Sequence, residues 1–302
     1  MHIPDGFLSA PVWLGLDAAG VAAVGYLARR AQLELEEARV PLLGVMGAFV
    51  FAAQMINFPV GMGTSGHLLG AALLAITLGP AAASIVMTAI LAIQAFVFQD
   101  GGVLALGANV LNMAVLGVLA GYLPYRLWGA GRLRKAAIFL GGAFSVLVGA
   151  ILAIVELLLS GVSMPPSILG VSLVLFAITA ALEGAITLAV VEGVEALNAG
   201  FVRQPSRARS SAVGILALAA VLLAALGILF ASAHPDGLEK LAENLGLASR
   251  ARTLFSTPLT DYRLPFLESS WFSKASAGLV GLALIYGVCL LVGRLLSRRR
   301  SA

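Results

Sequence analysis

Long apolar runs alternate along the chain with short segments that contain polar residues, glycine or proline. A helix needs about 20 apolar residues to cross the hydrocarbon core of a bilayer. The pattern predicts nine membrane helices, at Leu8–Ala28, Val40–Phe58, Leu68–Leu78, Ala81–Phe98, Val103–Leu123, Ala136–Leu159, Ser167–Val191, Ala212–Ala231 and Ala275–Leu296. The frequent glycines and prolines in and between these runs are typical of membrane helices.

The third of these runs is the shortest. It spans about 18 Å as a helix, against a hydrocarbon core of about 30 Å. Its outer end, near Gly66 and His67, is therefore expected to lie inside the membrane profile. Irregular backbone at that depth is tolerated only where protein buries it or where it lines a cavity. Residues 59–67 are accordingly predicted to line a pocket open to the outside.

Composition supports an all-α integral membrane protein. Of the 302 residues, 60% are hydrophobic and only 11% are charged, and the mean hydropathy is +0.99. A soluble core of this size needs more charge on its surface. No basic segment precedes the first apolar run and no small-residue cleavage site follows it, so no signal peptide is predicted. The single cysteine, Cys289, excludes an intramolecular disulfide.

The basic residues predict the orientation. Most of the 19 Lys and Arg residues fall in four segments, at 29–39, 126–135, 203–209 and 294–300. Because cytoplasmic loops carry the excess of Lys and Arg, the N-terminus is predicted outside and the C-terminus in the cytoplasm. The Arg-rich tail is interpreted as an anchor to lipid headgroups. The predicted partner is thus the bilayer, and no nucleic acid is expected.

A histidine follows the first methionine, in Met1-His2-Ile3-Pro4-Asp5-Gly6-Phe7. The α-amine of Met1, the backbone nitrogen of His2 and the His2 imidazole can face one metal ion as two fused chelate rings. Such a planar nitrogen set suits Ni²⁺ or Cu²⁺. Pro4-Asp5-Gly6 is typical of a tight turn. The alternative is a frayed terminus in which His2 has no role.

Two more histidines fall on the outside in this topology. His67, at membrane depth, is a candidate fourth nitrogen for the planar set; the alternative is a helix-end residue bonded to a backbone carbonyl. His234, in the long outer loop, is interpreted as a solvated histidine. Other polar residues are candidates to orient the two metal-binding histidines: Asp5, Gln54, Asn57, Thr64 and Ser65.

Each of these polar residues also has a structural interpretation. Gln54, Asn57, Thr64 and Ser65 would serve equally as helix–helix hydrogen-bond partners. Asp5 either bonds the His2 ring or closes its own turn, and the turn is favoured. For Glu156 and Glu183, in the sixth and seventh predicted helices, ion entry and structural pairing both remain open.

The sequence supports none of three motifs that are typical of nucleotide-binding proteins and enzymes. Residues 61–66 match G-x-G-x-x-G, but they follow a membrane helix rather than a strand, so a dinucleotide site is excluded. The same run is similar to a phosphate-binding loop, yet His67 stands where that loop requires lysine. No H-E-x-x-H occurs, and no nucleophile–base pair supports an intramembrane enzyme.

Two motifs carry a family resemblance. Met1-His2-Ile3-Pro4-Asp5-Gly6-Phe7-Leu8, with Gly63-Thr64-Ser65-Gly66-His67, resembles the CbiM/NikM family over residues 1–200. These are substrate-capture (S) components of energy-coupling-factor nickel and cobalt transporters. His234-Pro235-Asp236-Gly237-Leu238-Glu239 resembles the Pro-Asp-Gly-Leu-Glu (PDGLE) signature of NikN/CbiN-like accessory components, over residues 212–302. Residues 201–211 are predicted to be the linker of the fusion.

The resemblance implies a seven-helix S-component core plus a two-helix accessory domain with an external loop at 233–274. It implies a metal site formed by Met1, His2 and His67. Because the loop is the one large outside segment in the predicted topology and starts at His234-Pro235-Asp236, its residues His234, Asp236 and Glu239 are candidates for loading the metal. The transported substrate would be Ni²⁺ in preference to Co²⁺, with no other cofactor.

It also implies a non-catalytic subunit in a prokaryotic cell membrane. The expected partners are a membrane coupling (T) subunit and two cytoplasmic ATPases, which agrees with the absence of a Walker lysine. The alternative is a metal permease or channel that works alone.

Overall fold

The computed structural model describes residues 2–198, 201–202, 211–232, 234–264, 267 and 270–298. The fold is mostly helical, as the hydropathy pattern predicts. Its helices are α1 (Ala10–Glu34), α2 (Val40–Gln54), α3 (Ala71–Leu78), α4 (Pro80–Ile93), α5 (Leu106–Asn109), α6 (Gly117–Trp128), α7 (Arg134–Leu159), α8 (Pro166–Leu197), α9 (Ser211–Leu226), α10 (Gly237–Asn244) and α11 (Ser270–Arg298).

Six helical segments in the described part of the chain are long and apolar enough to cross a membrane. They are Ala10–Glu34, Pro80–Phe98, Leu106–Trp128, Arg134–Leu159, Pro166–Leu197 and Trp271–Ser297. The other three predicted spans are shorter helices: α2 has 15 residues, α3 has 8 and α9 has 16. At eight residues, α3 is about 12 Å long, shorter than the sequence predicts.

A β-hairpin interrupts the predicted second helix, so the all-helical prediction is wrong at this place. Strands β1 (Asn57–Gly61) and β2 (Thr64–His67) pair antiparallel, with Asn57 opposite His67. Pro59 has no N–H for the hydrogen bond of a helix interior, so the helix that ends at Gln54 cannot continue through it. Met62 and Gly63 both have positive φ, 52° and 68°, which suits a tight two-residue hairpin turn. His67 therefore ends a strand rather than beginning a helix.

The C-terminal helices pack directly on the N-terminal part of the chain. Helix α2 is buried along nearly its whole length and lies against α9 and α11. Glycines allow the close approach: Gly44 faces the Tyr286 ring, and Gly281 faces the Phe51 ring. A side chain at either position would overlap its neighbour. Residues 203–210, most of the predicted linker, lie outside the described residues.

On the opposite side of the helices, a smaller hydrophobic cluster joins the N-terminal segment to α10. Ile3 and Phe7 are buried in the same cluster as Phe176, Leu238 and Leu241. Helix α10 belongs to the predicted external loop, and it is amphipathic with its apolar side in this cluster. The first residues of the chain are therefore covered by the loop that follows α9.

Two helices contain wider, π-helical turns. Helix α4 continues as a π-helical stretch over Gln94–Phe98, and Val110–Leu116 joins α5 to α6 as one continuous helix, Leu106–Trp128. π-Helical segments are frequently found at functional sites. The first stretch contains Gln94, which bonds Gln54, and the second follows Asn109, which bonds Ile3. Both contacts belong to the site described below.

Candidate metal centre

The rings of His2 and His67 are stacked. Their planes are inclined by 6° and their centroids are 5.6 Å apart. Both residues are buried. The fold therefore brings together the two histidines that the sequence analysis nominated as metal ligands.

His2 contacts a carboxylate that the sequence analysis did not nominate. Its Nδ1 lies 3.1 Å from Oδ1 of Asp100. Its Nε2 is buried without a hydrogen-bond partner in the described part of the chain. Burial alone would raise the pKa of the Asp100 carboxyl, but His2 and the Tyr262 hydroxyl, which donates to it over 2.6 Å, hold that pKa below its ordinary value.

His67 uses its two ring nitrogens differently. Nδ1 lies 3.0 Å from the carbonyl oxygen of Leu68, a contact in which Nδ1 carries the proton and Nε2 keeps its lone pair. Nε2 lies 3.7 Å from Oδ2 of Asp236. Burial lowers the pKa of His67, although Asp236 opposes this effect. A neutral ring with a lone pair on Nε2 is the form that binds a metal. The backbone contact and metal binding are thus compatible, because they use different nitrogens.

The turn after His2 is fixed by the carboxylate of Asp5. It accepts hydrogen bonds from the backbone N–H groups of Val103 (3.0 Å), Leu104 (2.8 Å) and Ala105 (3.2 Å). The carbonyl of Asp5 accepts from the backbone N–H of Arg252 at 2.9 Å. Asp5 therefore joins the N-terminal segment to the start of α5 and to the external loop, and its carboxylate contacts the 103–105 backbone rather than His2.

The backbone just after His67 is held by buried side chains from three helices. The carboxyl group of Glu183, on α8, accepts from the N–H groups of Leu69 (2.7 Å) and Gly70 (2.8 Å). Gln54, on α2, donates to the carbonyl of Leu69 and accepts from Gln94. The direction of the chain after His67 is therefore set by hydrogen bonds that no local sequence pattern shows.

The other nominated polar residues, Asn57, Thr64 and Ser65, belong to the hairpin itself. The Ser65 hydroxyl donates to the carbonyl of His234 at 2.7 Å. The Thr64 hydroxyl is buried without a partner in the described structure. Asn57 lies on the cavity wall, and its carbonyl accepts from the N–H of Ser232 at 2.7 Å.

The Pro-Asp-Gly-Leu-Glu motif forms the N-terminal cap of α10. Oδ1 of Asp236 accepts from the N–H groups of Leu238 and Glu239, and the Glu239 carboxylate accepts from the N–H of Asp236. This reciprocal arrangement is a capping box. It leaves Oδ2 of Asp236 facing His67. Ser65 also donates its backbone N–H to Pro235 at 2.8 Å, so the motif pairs with β2. His234 is exposed, as a solvated histidine would be.

A cavity of about 310 Å³ opens beside both histidines. Residues of the external loop complete its wall, including Asp236, Glu239 and Tyr262. Met1 lies outside the described residues. Among the described side chains, no group of three or more His, Cys, Asp or Glu residues has an arrangement that holds a metal ion.

Asp100, Tyr262 and Asn109 were not nominated by the sequence analysis. Asp100 and Tyr262 are in the two segments that flank the cavity, and Asn109 contacts Ile3. A polar residue within an apolar run is the one signal that could have pointed to Asn109.

Two family models match the chain. The model of the cobalt uptake substrate-specific transmembrane region matches residues 2–201, and that of the PDGLE domain matches residues 210–298. Solved structures are similar as well. One, a crystal structure of a transition metal transporter, is 33% identical, with a TM-score of 0.58, over 68% of this chain and 98% of that one.

The full length of the chain also matches curated relatives. A protein assigned as a fused nickel transport protein NikMN in Archaeoglobus fulgidus is 35% identical over 94% of this chain and 95% of its own length. The fused nickel transport protein NikMN of Rhodobacter capsulatus is 30% identical over 99% of both chains. The cobalt transport protein CbiM of Ruminiclostridium cellulolyticum is 33% identical over 52% of this chain and 64% of its own. The chain belongs to the CbiM family of nickel and cobalt transport components, joined in one polypeptide to a PDGLE domain.

Proposed function

We propose that this chain is the substrate-capture subunit of an ATP-driven energy-coupling-factor importer, and that its site captures Ni²⁺ in preference to Co²⁺. The observation that carries the proposal is the parallel pair of buried rings, His2 and His67, beside a cavity. A histidine pair at this depth is costly to bury and is unusual without a functional partner.

In this proposal the metal is bound by four nitrogens. They are the α-amine of Met1, the backbone nitrogen of His2, Nδ1 of His2 and Nε2 of His67. Within His2, Nδ1 is the ring nitrogen close enough to the backbone to close a chelate ring. Nδ1 faces Asp100 in the structure, so metal binding requires it to exchange that carboxylate for the metal. A planar nitrogen set favours Ni²⁺, and the two relatives of matching length are named as nickel transport proteins.

The proposed arrangement has an S-component domain at residues 1–200, a linker at 201–211 and an accessory domain at 212–302. The ranges of the two family matches support this division. The chain would cross the membrane nine times, with seven helices in the first domain and two in the second, the N-terminus outside and the C-terminus in the cytoplasm. A coupling subunit and two cytoplasmic ATPases would supply energy, since the chain has no Walker lysine.

The accessory domain is proposed to help load the metal. Its loop supplies Asp236 next to His67 and Tyr262 next to Asp100. His67 thus faces a carboxylate of the loop, and His2 faces Asp100, which the loop contacts through Tyr262. Glu239 supports Asp236 through the capping box, and His234 positions Ser65 through its carbonyl.

Reconstituted vesicles test the proposal. The chain is inserted into vesicles alone, or together with a coupling subunit and both ATPases. Ni²⁺ accumulation is then measured with and without ATP on the side of the membrane where the ATPases are bound. We expect ATP-dependent accumulation only in the complete assembly. Accumulation by the chain alone at the rate of the complete assembly would show a permease instead.

A further inference from the structure

Asn109 lies on the helix next to the N-terminal segment and bonds it in both directions. Its Oδ1 accepts from the backbone N–H of Ile3 at 2.8 Å, and its Nδ2 donates to the Ile3 carbonyl at 3.1 Å. Asn109 is 2% exposed and Ile3 is fully buried. The amide therefore contacts Ile3 as a neighbouring strand would, with both backbone groups of one residue satisfied by one side chain.

This contact is one residue away from a proposed ligand. The N–H of Ile3 belongs to the same planar peptide group as the carbonyl of His2. Fixing that plane sets the direction in which the Cα of His2 presents its own backbone nitrogen and its ring. The N–H of Gly102 donates to the same Ile3 carbonyl at 2.8 Å, but only Asn109 contacts the Ile3 N–H in the described structure.

We propose that Asn109 is a positioning residue that holds His2 in the orientation the metal chelate needs. The proposal rests on the capture function above. A chain that slid by one residue would present the wrong backbone nitrogen, and a chain free to rotate at Ile3 would hold the nitrogens away from one plane. Asn109 opposes both movements. Because a planar nitrogen set favours Ni²⁺ over Co²⁺, Asn109 also contributes to the choice between these two metals.

The same helix offers a matched control. Asn112 is buried too, but its Nδ2 donates to Glu156 at 2.8 Å, away from the N-terminal segment. Asn112→Ala removes a buried amide and one side-chain hydrogen bond in the same helix. It therefore reports what general loss of packing and hydrogen bonding does to the protein. Asn109→Asp keeps the acceptor for the Ile3 N–H but loses the donor to the Ile3 carbonyl.

The experiment measures Ni²⁺ and Co²⁺ binding to purified full-length protein with an untagged N-terminus, together with the visible absorption spectrum of the Ni²⁺-bound form. Removal of a group that orients a metal ligand costs about 10–100-fold in affinity. We expect Asn109→Ala to weaken Ni²⁺ binding by that factor, with Asn109→Asp between it and the wild type. The ratio of Ni²⁺ to Co²⁺ affinity should fall, and the spectral band of planar Ni²⁺ should weaken.

Asn112→Ala should leave the affinity ratio and the spectrum unchanged, and metal-free melting curves of both Ala variants show how far each is destabilised. If Asn109→Ala binds Ni²⁺ as tightly as the wild type, with the same spectrum, the positioning role is refuted. If each Ala variant loses Ni²⁺ affinity in proportion to its loss in melting temperature, Asn109 acts on stability alone and the positioning role is refuted. If the wild-type protein itself binds no Ni²⁺, the capture function fails, which is a different result from either.

Discussion

Glu183→Gln tests whether a buried polar group outside the cavity lining controls the metal site. The Glu183 carboxyl group is fully buried and accepts from two backbone N–H groups, Leu69 at 2.7 Å and Gly70 at 2.8 Å. Glutamine has nearly the same shape but only one acceptor oxygen. Its NH₂ group would face one of the two N–H groups, and that backbone donor would be left without an acceptor.

The size of the effect follows from that count. A buried backbone donor without an acceptor costs about 1–3 kcal/mol. Leu69 is two residues beyond His67, so relaxation of this backbone moves the strand end that carries the ring. If the whole cost appears in metal binding, the affinity falls by about 5- to 150-fold. If the backbone does not move, the cost appears in thermal stability instead.

Thr187→Val is the matched control, one helical turn further along α8. The Thr187 hydroxyl is buried and has no hydrogen-bond partner in the described structure, so its removal should change neither property. The assay is Ni²⁺ binding to purified protein, with a melting curve for each metal-free variant. Wild-type affinity and wild-type stability in Glu183→Gln together would refute the reasoning, because the lost hydrogen bond would then have no measurable consequence.

Four further predictions concern the site. His67→Ala should leave the fold intact and remove most Ni²⁺ affinity, measured as bound metal per protein; unchanged metal content would exclude His67 as a ligand. Protons compete with the metal for amine and imidazole nitrogens, whose reference pKa values are about 7.7–8.0 and about 6.5, so equilibrium Ni²⁺ binding should weaken between about pH 7 and pH 5; burial lowers the pKa of His67, so protonation of that ring contributes at the acidic end of the range, and constant affinity over the range would argue against these ligands. An uncleaved N-terminal tag should abolish Ni²⁺ binding because it removes the α-amine of Met1, whereas a C-terminal tag should not; tight binding by the N-terminally tagged protein would exclude the amine as a ligand. Asp236→Asn should keep the α10 cap, since asparagine caps helices as well as aspartate does, and should slow Ni²⁺ uptake by the complete transporter more than it changes equilibrium binding; a total loss of binding would mean that Asp236 is itself a ligand. Deletion of residues 210–302 should also reduce uptake more than binding. The Asp236→Asn variant is the more specific test, because the deletion would expose α2, on which α9 and α11 pack.

The hydropathy of the sequence is enough to predict a helical membrane protein. Six of the nine predicted spans are long apolar helices, because a run of apolar residues long enough to cross a bilayer is a property of the local sequence alone. The three that differ are α2, α3 and α9. The predicted second helix extends too far, because a hairpin with its turn at Met62-Gly63 follows α2. The hydrophobic pattern alone did not distinguish this hairpin from irregular backbone.

The residues of the site divide in the same way. His2 and His67 could be nominated from the sequence, because a histidine directly after the first methionine and a histidine at the end of a short apolar run are both local signals. The placement of their partners could not be. Asp236 was nominated only through its motif, and nothing in the sequence indicates that it faces His67.

Local features of the chain were enough to predict a helical membrane protein and to name candidate metal ligands. Three features come from the packed fold: the two histidine rings stack, Asp100 and Asp236 face them, and Asn109 and Glu183 hold the adjacent backbone. The physical reason is that hydropathy and ligand chemistry belong to single residues and short segments. A hydrogen bond between Asn109 and Ile3, by contrast, depends on how every helix between them packs.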